Sequence, residues 1–249
     1  MEWTWGPADT WHATQRFLES LAATLPERPS AILVISGHWE EPALTAGAAA
    51  KPELIFDYSG FPQQTYELTW PAPGDPALAA RVSSLLQAAG MPSATDTKRG
   101  YDHGVFVPLK VAFPEADIPV VTLSLDHSLD PALHIAAGRA LAPLRDEGVL
   151  IVASGMSFHN LRGYFQPQTA ERSRAFDAWL TQAIESPGKQ RNALLEKWRS
   201  APFATYAHPR EEHLIPLMVA SGAGGEAAGK RIFTDEPMGA QISAYRFDG

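Results

Sequence analysis

Four of the eight histidines lie in contexts where an imidazole can do chemistry: His38 in SGHW, His103 in GYDHGVF, His159 in SGMSFHN and His213 in HPREEHLIPL. A neutral imidazole is a metal ligand, and its pKa near about 6.5 lets it take or give a proton close to neutral pH. His38 and His159 each come shortly after a Ser-Gly pair that ends an apolar run, the place that borders the ligand crevice in an open α/β sheet. His103 reads as a helix start, with Asp102 beside it where it could fix the ring tautomer. Glu211 and Glu212 stand beside His213 as orienters or alternative ligands. The chain has no cysteine, so any metal rests on His, Asp or Glu. Three such groups with open positions suit a catalytic iron or zinc. There is no HExxH, and spacing alone leaves a metal site and a set of hydrogen-bonded structural histidines equally open. His12 reads as solvated, and His127 and His134 as capping or surface residues. Trp39, Phe56, Tyr58, Phe61, Phe158 and Tyr206 lie close in sequence to the candidates and fit either a flat apolar pocket or the core.

These side chains need a scaffold, and the hydrophobic pattern supplies one. Residues 7–24 carry apolar positions at helical spacing up to Pro26. AILVIS (31–36), PVVTLSLD (119–126) and GVLIVAS (148–154) are continuous apolar runs, the pattern of parallel strands buried on both faces, with His38 just past the end of the first. Asp75-Pro76 and Asp130-Pro131 announce helices by the pairing of an N-cap with proline in the first turn. The spacing predicts further helices from Thr169 to about Ser200 and from Arg210 to Ala220, with Gly222–Gly225 as a loop. Two alternating segments, Lys230–Thr234 and Gln241–Phe247, predict an antiparallel pair at the sheet edge. The fold class is α/β: a mostly parallel central sheet with helices on both faces and antiparallel edge strands near the C-terminus.

Residues 1–249 read as a single domain. Hydrophobic residues make up 45% and charged ones 19%, the balance of a globular chain. A net charge of -8 without a basic stripe argues against nucleic acid and anionic membranes as partners. No apolar run approaches the ~20 residues of a membrane span, and a cytoplasmic location follows by default. No G-x-S-x-G elbow, Walker loop or G-x-G-x-x-G after a strand is present.

SGHW around His38, YDHG around His103, SFHN around His159 and HPREEHLIPL around His213, in this order, resemble the class III extradiol ring-cleavage dioxygenases, in particular the bacterial branch similar to DOPA 4,5-dioxygenase. The stretch FDYSGFPQQTYELTWPAPGDP (56–76) resembles the same family. The resemblance implies a non-haem Fe(II), or a bound Zn(II), in an α/β cleft, with a small aromatic diol and O2 as partners and no organic cofactor. It implies His38 as a metal ligand and His213 as the ligand that is a carboxylate in the protocatechuate-type branch. It implies His159 as an acid/base or further ligand and His103 as a substrate-side histidine. Self-association into a homo-oligomer is left open. The family begins with a strand ending in a His-Gly motif that supplies another ligand. This sequence opens on MEWTWGPADTW without it and is read as starting downstream of that motif. The expected consequences are an open backbone edge on the Ala31 strand and weaker metal binding, with Zn(II) held through His38, His159 and His213. A zinc-dependent hydrolase using the same crevice and a non-catalytic relative are the competing readings.

Overall fold

A computed structural model describes residues 7–248. The opening MEWTWG, read above as the stretch following a missing motif, lies outside the described residues. Along the chain come α1 (His12–Leu21), β1 (Ala31–Glu41), β2 (Leu44–Gly47), α2 (Pro76–Ala88), β3 (Ser93–Asp96), α3 (His103–Ala112) and β4 (Val120–Asp126). They are followed by α4 (Pro131–Leu141), α5 (Pro143–Asp146), β5 (Val149–Ser154), α6 (Thr169–Ile184), α7 (Gly188–Glu196), α8 (Ala204–Ala207), α9 (Ile215–Ala223), β6 (Lys230–Asp235) and β7 (Ile242–Arg246). No helix among the described residues is long and apolar enough to cross a membrane. The chain gathers into two compact units, one of residues 15–128 and 143–154, the other of 7–14, 129–142 and 155–248.

The first unit is built on a five-stranded sheet in the order β3-β2-β4-β1-β5. β1 pairs in parallel with both β4 and β5, β2 runs parallel to β3, and the β2–β4 pairing is the one antiparallel junction. β1 is central because its first seven residues are buried, with Ile32, Leu33, Val34 and Ile35 at zero exposure. Each such side chain withdrawn from water contributes about 1.5–3 kcal/mol. Because both sides of β1 are paired, the open edge expected there does not exist; the sheet edges are β3 and β5.

Two local outcomes matter for the histidines. β1 does not end at Ser36 but runs to Glu41, and its register against β4 breaks between Ile35 and Glu40. Five steps along β1 face two along β4, from Leu123 to Leu125, so His38 is carried on a bulge inside a strand, half-buried. Bulges re-aim side chains beside functional sites. α3 starts at His103, as the sequence predicts.

In the second unit, α4 packs on α9, with α6, α7 and the two-stranded β6–β7 sheet around them. Asp130 caps α4 by accepting from the Ala132 amide at 2.8 Å, as Asp75 caps α2 by accepting from Leu78 at 2.9 Å. The long predicted helix is broken at Pro187 into α6 and α7. β6 and β7 form a sheet of their own rather than an edge of the main one. Gly222 belongs to α9 rather than to a loop, and His134 is fully buried in α4 rather than on the surface, its Nδ1 2.7 Å from the Asp130 carbonyl. His12 and His127 are exposed.

Candidate functional site

The candidate histidines fall into two groups, one per unit, each with two imidazoles and one carboxylate whose ligand atoms lie within 4.8 Å of one another. In the first unit the group is His38, Asp57 and His103. The bulge of β1 and the start of α3 bring the two rings to 4.0 Å between centroids, tilted by 52°. Asp57, on the turn-rich stretch after β2, lies 3.6 Å from His38 Nδ1 and 2.7 Å from His103 Nδ1, and also accepts the His103 backbone amide at 3.0 Å. Burial raises the Asp57 carboxyl pKa, but the bonds and charge from His103 outweigh it and bring it to about 2.

Asp102 does not do what its adjacency to His103 suggests. Its carboxylate is buried, accepting from the Ser36 hydroxyl at 2.8 Å and from Arg99 Nη2 at 3.0 Å. Ser36 in turn accepts the His38 amide at 3.2 Å. Asp102 therefore braces the part of β1 that carries His38, while the His103 ring is held by Asp57, a residue 46 positions upstream. Nothing in local spacing marks Asp57; the only sign of it is its place in the family-like FDYSGFP stretch. The nearby aromatics do form a cluster: Tyr58 meets His103 edge-on at 5.7 Å and packs with Phe61, Tyr66 and Phe106. Trp39 is core, lying under the Arg99 guanidinium at 4.9 Å.

In the second unit the group is His159, Glu212 and His213. The two rings stack at 3.4 Å with 18° between planes, and Glu212 Oε1 sits 3.3 Å from His159 Nδ1 and 2.8 Å from His213 Nδ1. Residues 155–160 and 206–213 are laced together by backbone. The Met156 amide donates to the His213 carbonyl, the His159 amide to the Ala207 carbonyl, both at 3.0 Å, and the Asn160 side-chain amide to the Tyr206 carbonyl at 2.7 Å. A Cβ at Gly155 would collide with the His213 carbonyl oxygen, so the Ser-Gly pair read from sequence is a packing requirement here. His213 precedes α9 rather than lying in it. Phe158 is buried against Tyr164 and Tyr206 and is core. Glu211 is drawn away to Arg199 at 2.6 Å, leaving Glu212 as the carboxylate of the group.

The second group suits a cation. Burial raises the Glu212 pKa, but the hydrogen bond from His213 and the neighbouring imidazoles bring it down to about 2, so it is anionic at neutral pH. Its Oε2 is buried with no hydrogen-bond partner among the described residues, Arg210 Nη1 lying at 3.5 Å. A buried carboxylate is costly unless a positive charge meets it, and the exposed Arg210 guanidinium at 3.5 Å supplies part of that charge. Two imidazoles and a carboxylate are also the donor set of non-haem Fe(II) oxygenases.

Comparison with known proteins agrees with this chemistry. The family described as "Catalytic LigB subunit of aromatic ring-opening dioxygenase" matches residues 6–247. "4,5-DOPA dioxygenase extradiol" of Beta vulgaris is 40% identical over 241 residues, covering 94% of this chain and 89% of that protein. The protein of the same name from Escherichia coli (strain K12) is 39% identical over 214 residues, covering 84% and 77%. "Dioxygenase tasH" of Hapsidospora irregularis is 43% identical over 237 residues, covering 89% and 72%. The crystal structure of an uncharacterized Escherichia coli K12 protein superposes with a TM-score of 0.78 at 33% identity, covering 93% of this chain and 90% of that one.

Proposed function

This chain belongs to the family of the catalytic LigB subunit of aromatic ring-opening dioxygenase and is an extradiol dioxygenase, and on that footing we propose that it opens a catechol-type ring of the DOPA or caffeate kind with non-haem Fe(II) and O2. The observation that carries the metal is the second unit's donor set of two imidazoles and a carboxylate. His213 and His159 would hold the ion with Glu212 beside them, and His38 is proposed as a metal ligand within the first unit's own group. Zn(II) suits the same donors as a bound metal. A cytoplasmic setting is part of the same proposal. Family membership favours ring opening over the hydrolase reading, and the assay below separates an active chain from a non-catalytic relative.

Iron held by such donors acidifies a diol and supplies the electron chemistry that lets O2 react with an aromatic ring. The rest falls to side chains. His159 is proposed as the further ligand or as the imidazole that accepts a diol proton, a group whose ordinary pKa suits that transfer. His103 faces the Tyr58 cluster in the first unit and is proposed to take up and then return a proton on the substrate side, at the nitrogen not turned to Asp57. Both atoms of O2 end in the ring-opened product.

Anaerobic loading with Fe(II), then addition of catechol, DOPA or caffeate and air, is expected to give O2 uptake and a yellow product. No uptake with any of them from metal-loaded protein would refute the reading. Replacing His38 or His213 by Ala is expected to lower bound metal, measured by elemental analysis. His159→Ala separates its two roles: loss of a ligand lowers metal content, and loss of a base lowers kcat alone.

A further inference from the structure

We propose that Asp57 is the positioning residue of His103, clamping its ring and backbone together so that one tautomer, with the proton on Nδ1, faces the substrate side. The inference rests on the proposed substrate-side role of His103. One carboxylate oxygen makes both contacts: Asp57 Oδ1 lies 2.7 Å from His103 Nδ1 and accepts the His103 backbone N–H at 3.0 Å. An ionised carboxylate has only acceptor positions, so the ring nitrogen facing it carries the hydrogen, and in the neutral ring Nε2 keeps its lone pair.

The backbone contact adds a second constraint. His103 is the first residue of α3, where helix amides lack intrahelical partners, and the N-cap Asp102 makes no side-chain cap. Asp57 satisfies that amide instead and ties the ring to the helix that carries it. With Tyr58 edge-on at 5.7 Å and the His38 ring at 4.0 Å, the imidazole is bounded on three sides. Its Nε2 has no hydrogen-bond partner among the described residues. Asp102, the other carboxylate at hand, is engaged by Ser36 and Arg99.

The test uses the isotope-labelled full chain loaded with diamagnetic Zn(II) for long-range proton–nitrogen correlation spectra, and the Fe(II)-loaded chain for kinetics. Wild type is expected to show His103 as a single Nδ1–H tautomer, and Asp57→Ala a mixture. Asp57→Ala should lower kcat roughly ten- to a hundredfold, the range for partners that orient a working histidine, with metal content unchanged. It should add nothing when His103 is already Ala, and Asp57→Asn, which keeps an acceptor oxygen, should recover part of the loss. An unchanged tautomer in Asp57→Ala, full additivity with His103→Ala, or a fall in metal content that makes Asp57 a ligand would each overturn the proposal. If the wild-type chain opens no ring, the functional reading fails while the spectra still decide whether Asp57 sets the tautomer.

Discussion

His208 is a fully buried histidine whose Nε2 lies 3.0 Å from the Ser157 carbonyl and whose Nδ1 has no hydrogen-bond partner among the described residues. Trp198 and Phe176 meet its ring edge-on at 6.0 and 5.4 Å. In such a pocket the charged form is disfavoured, and burial drives its pKa down to about 3. Unfolded, the same ring protonates near about 6.5. Between those values the unfolded chain binds the extra proton, so this residue's share of stability is intact above about pH 6.5 and lost as pH falls, by about 1.4 kcal/mol per pH unit. His208→Gln keeps a donor for Ser157 without a titrating ring. The loss of urea stability between pH 6.5 and 5 is expected to shrink by roughly 2 kcal/mol in that variant, and an unchanged loss would show that His208 is not held neutral. Because Ser157 opens the stretch that carries His159, an uncharged His208 also keeps a second positive charge away from the proposed metal group.

Among the elements, α4 and α9 cross with their backbones in close approach. A Cβ on Gly138 would strike the Val219 carbonyl oxygen, and one on Gly222 the Ile135 carbonyl oxygen. Alanine raises helix propensity by about 1 kcal/mol over glycine, yet Gly138→Ala and Gly222→Ala are each expected to lower stability to urea by about 1–3 kcal/mol, because the backbones must part. A neutral or stabilising result would show that the helices have room. The pairing also shows what sequence could and could not reveal. The Asp-Pro caps, the three apolar strands and the start of α3 at His103 were legible, since each is written in contiguous residues. Gly222 looked like a loop residue because small residues at a crossing and in a turn are indistinguishable without the partner helix. The short strands β2 and β3 have no long apolar run and went unseen. Of the candidate site, the four histidines were legible from their motifs, but Asp57 was not, and the neighbour Asp102 was a misleading substitute. A contact made across 46 positions leaves no periodic trace.

For the whole molecule, a metal that binds only the folded chain stabilises it by mass action, by about 2.7 kcal/mol at a free concentration of 100 Kd. For a chain of this size that corresponds to roughly 5–10 °C in Tm. Dialysis against a chelator is expected to lower Tm by that order and re-addition of Fe(II) or Zn(II) to restore it, as read by calorimetry; a Tm indifferent to both would argue against a tightly held ion. The placement of β1 between β4 and β5 bears on how the protein is made. Its apolar segment leaves the ribosome before either partner, and the one beginning at Val149 follows only after roughly 120 more residues, about 6–24 s at 5–20 residues per second. Throughout that interval a strand destined for the centre of the sheet has an unpaired side. Nascent-chain holding factors and slow-translating codons before Val149 are therefore natural determinants of yield, and recombinant expression at reduced temperature is expected to give more soluble protein than rapid induction.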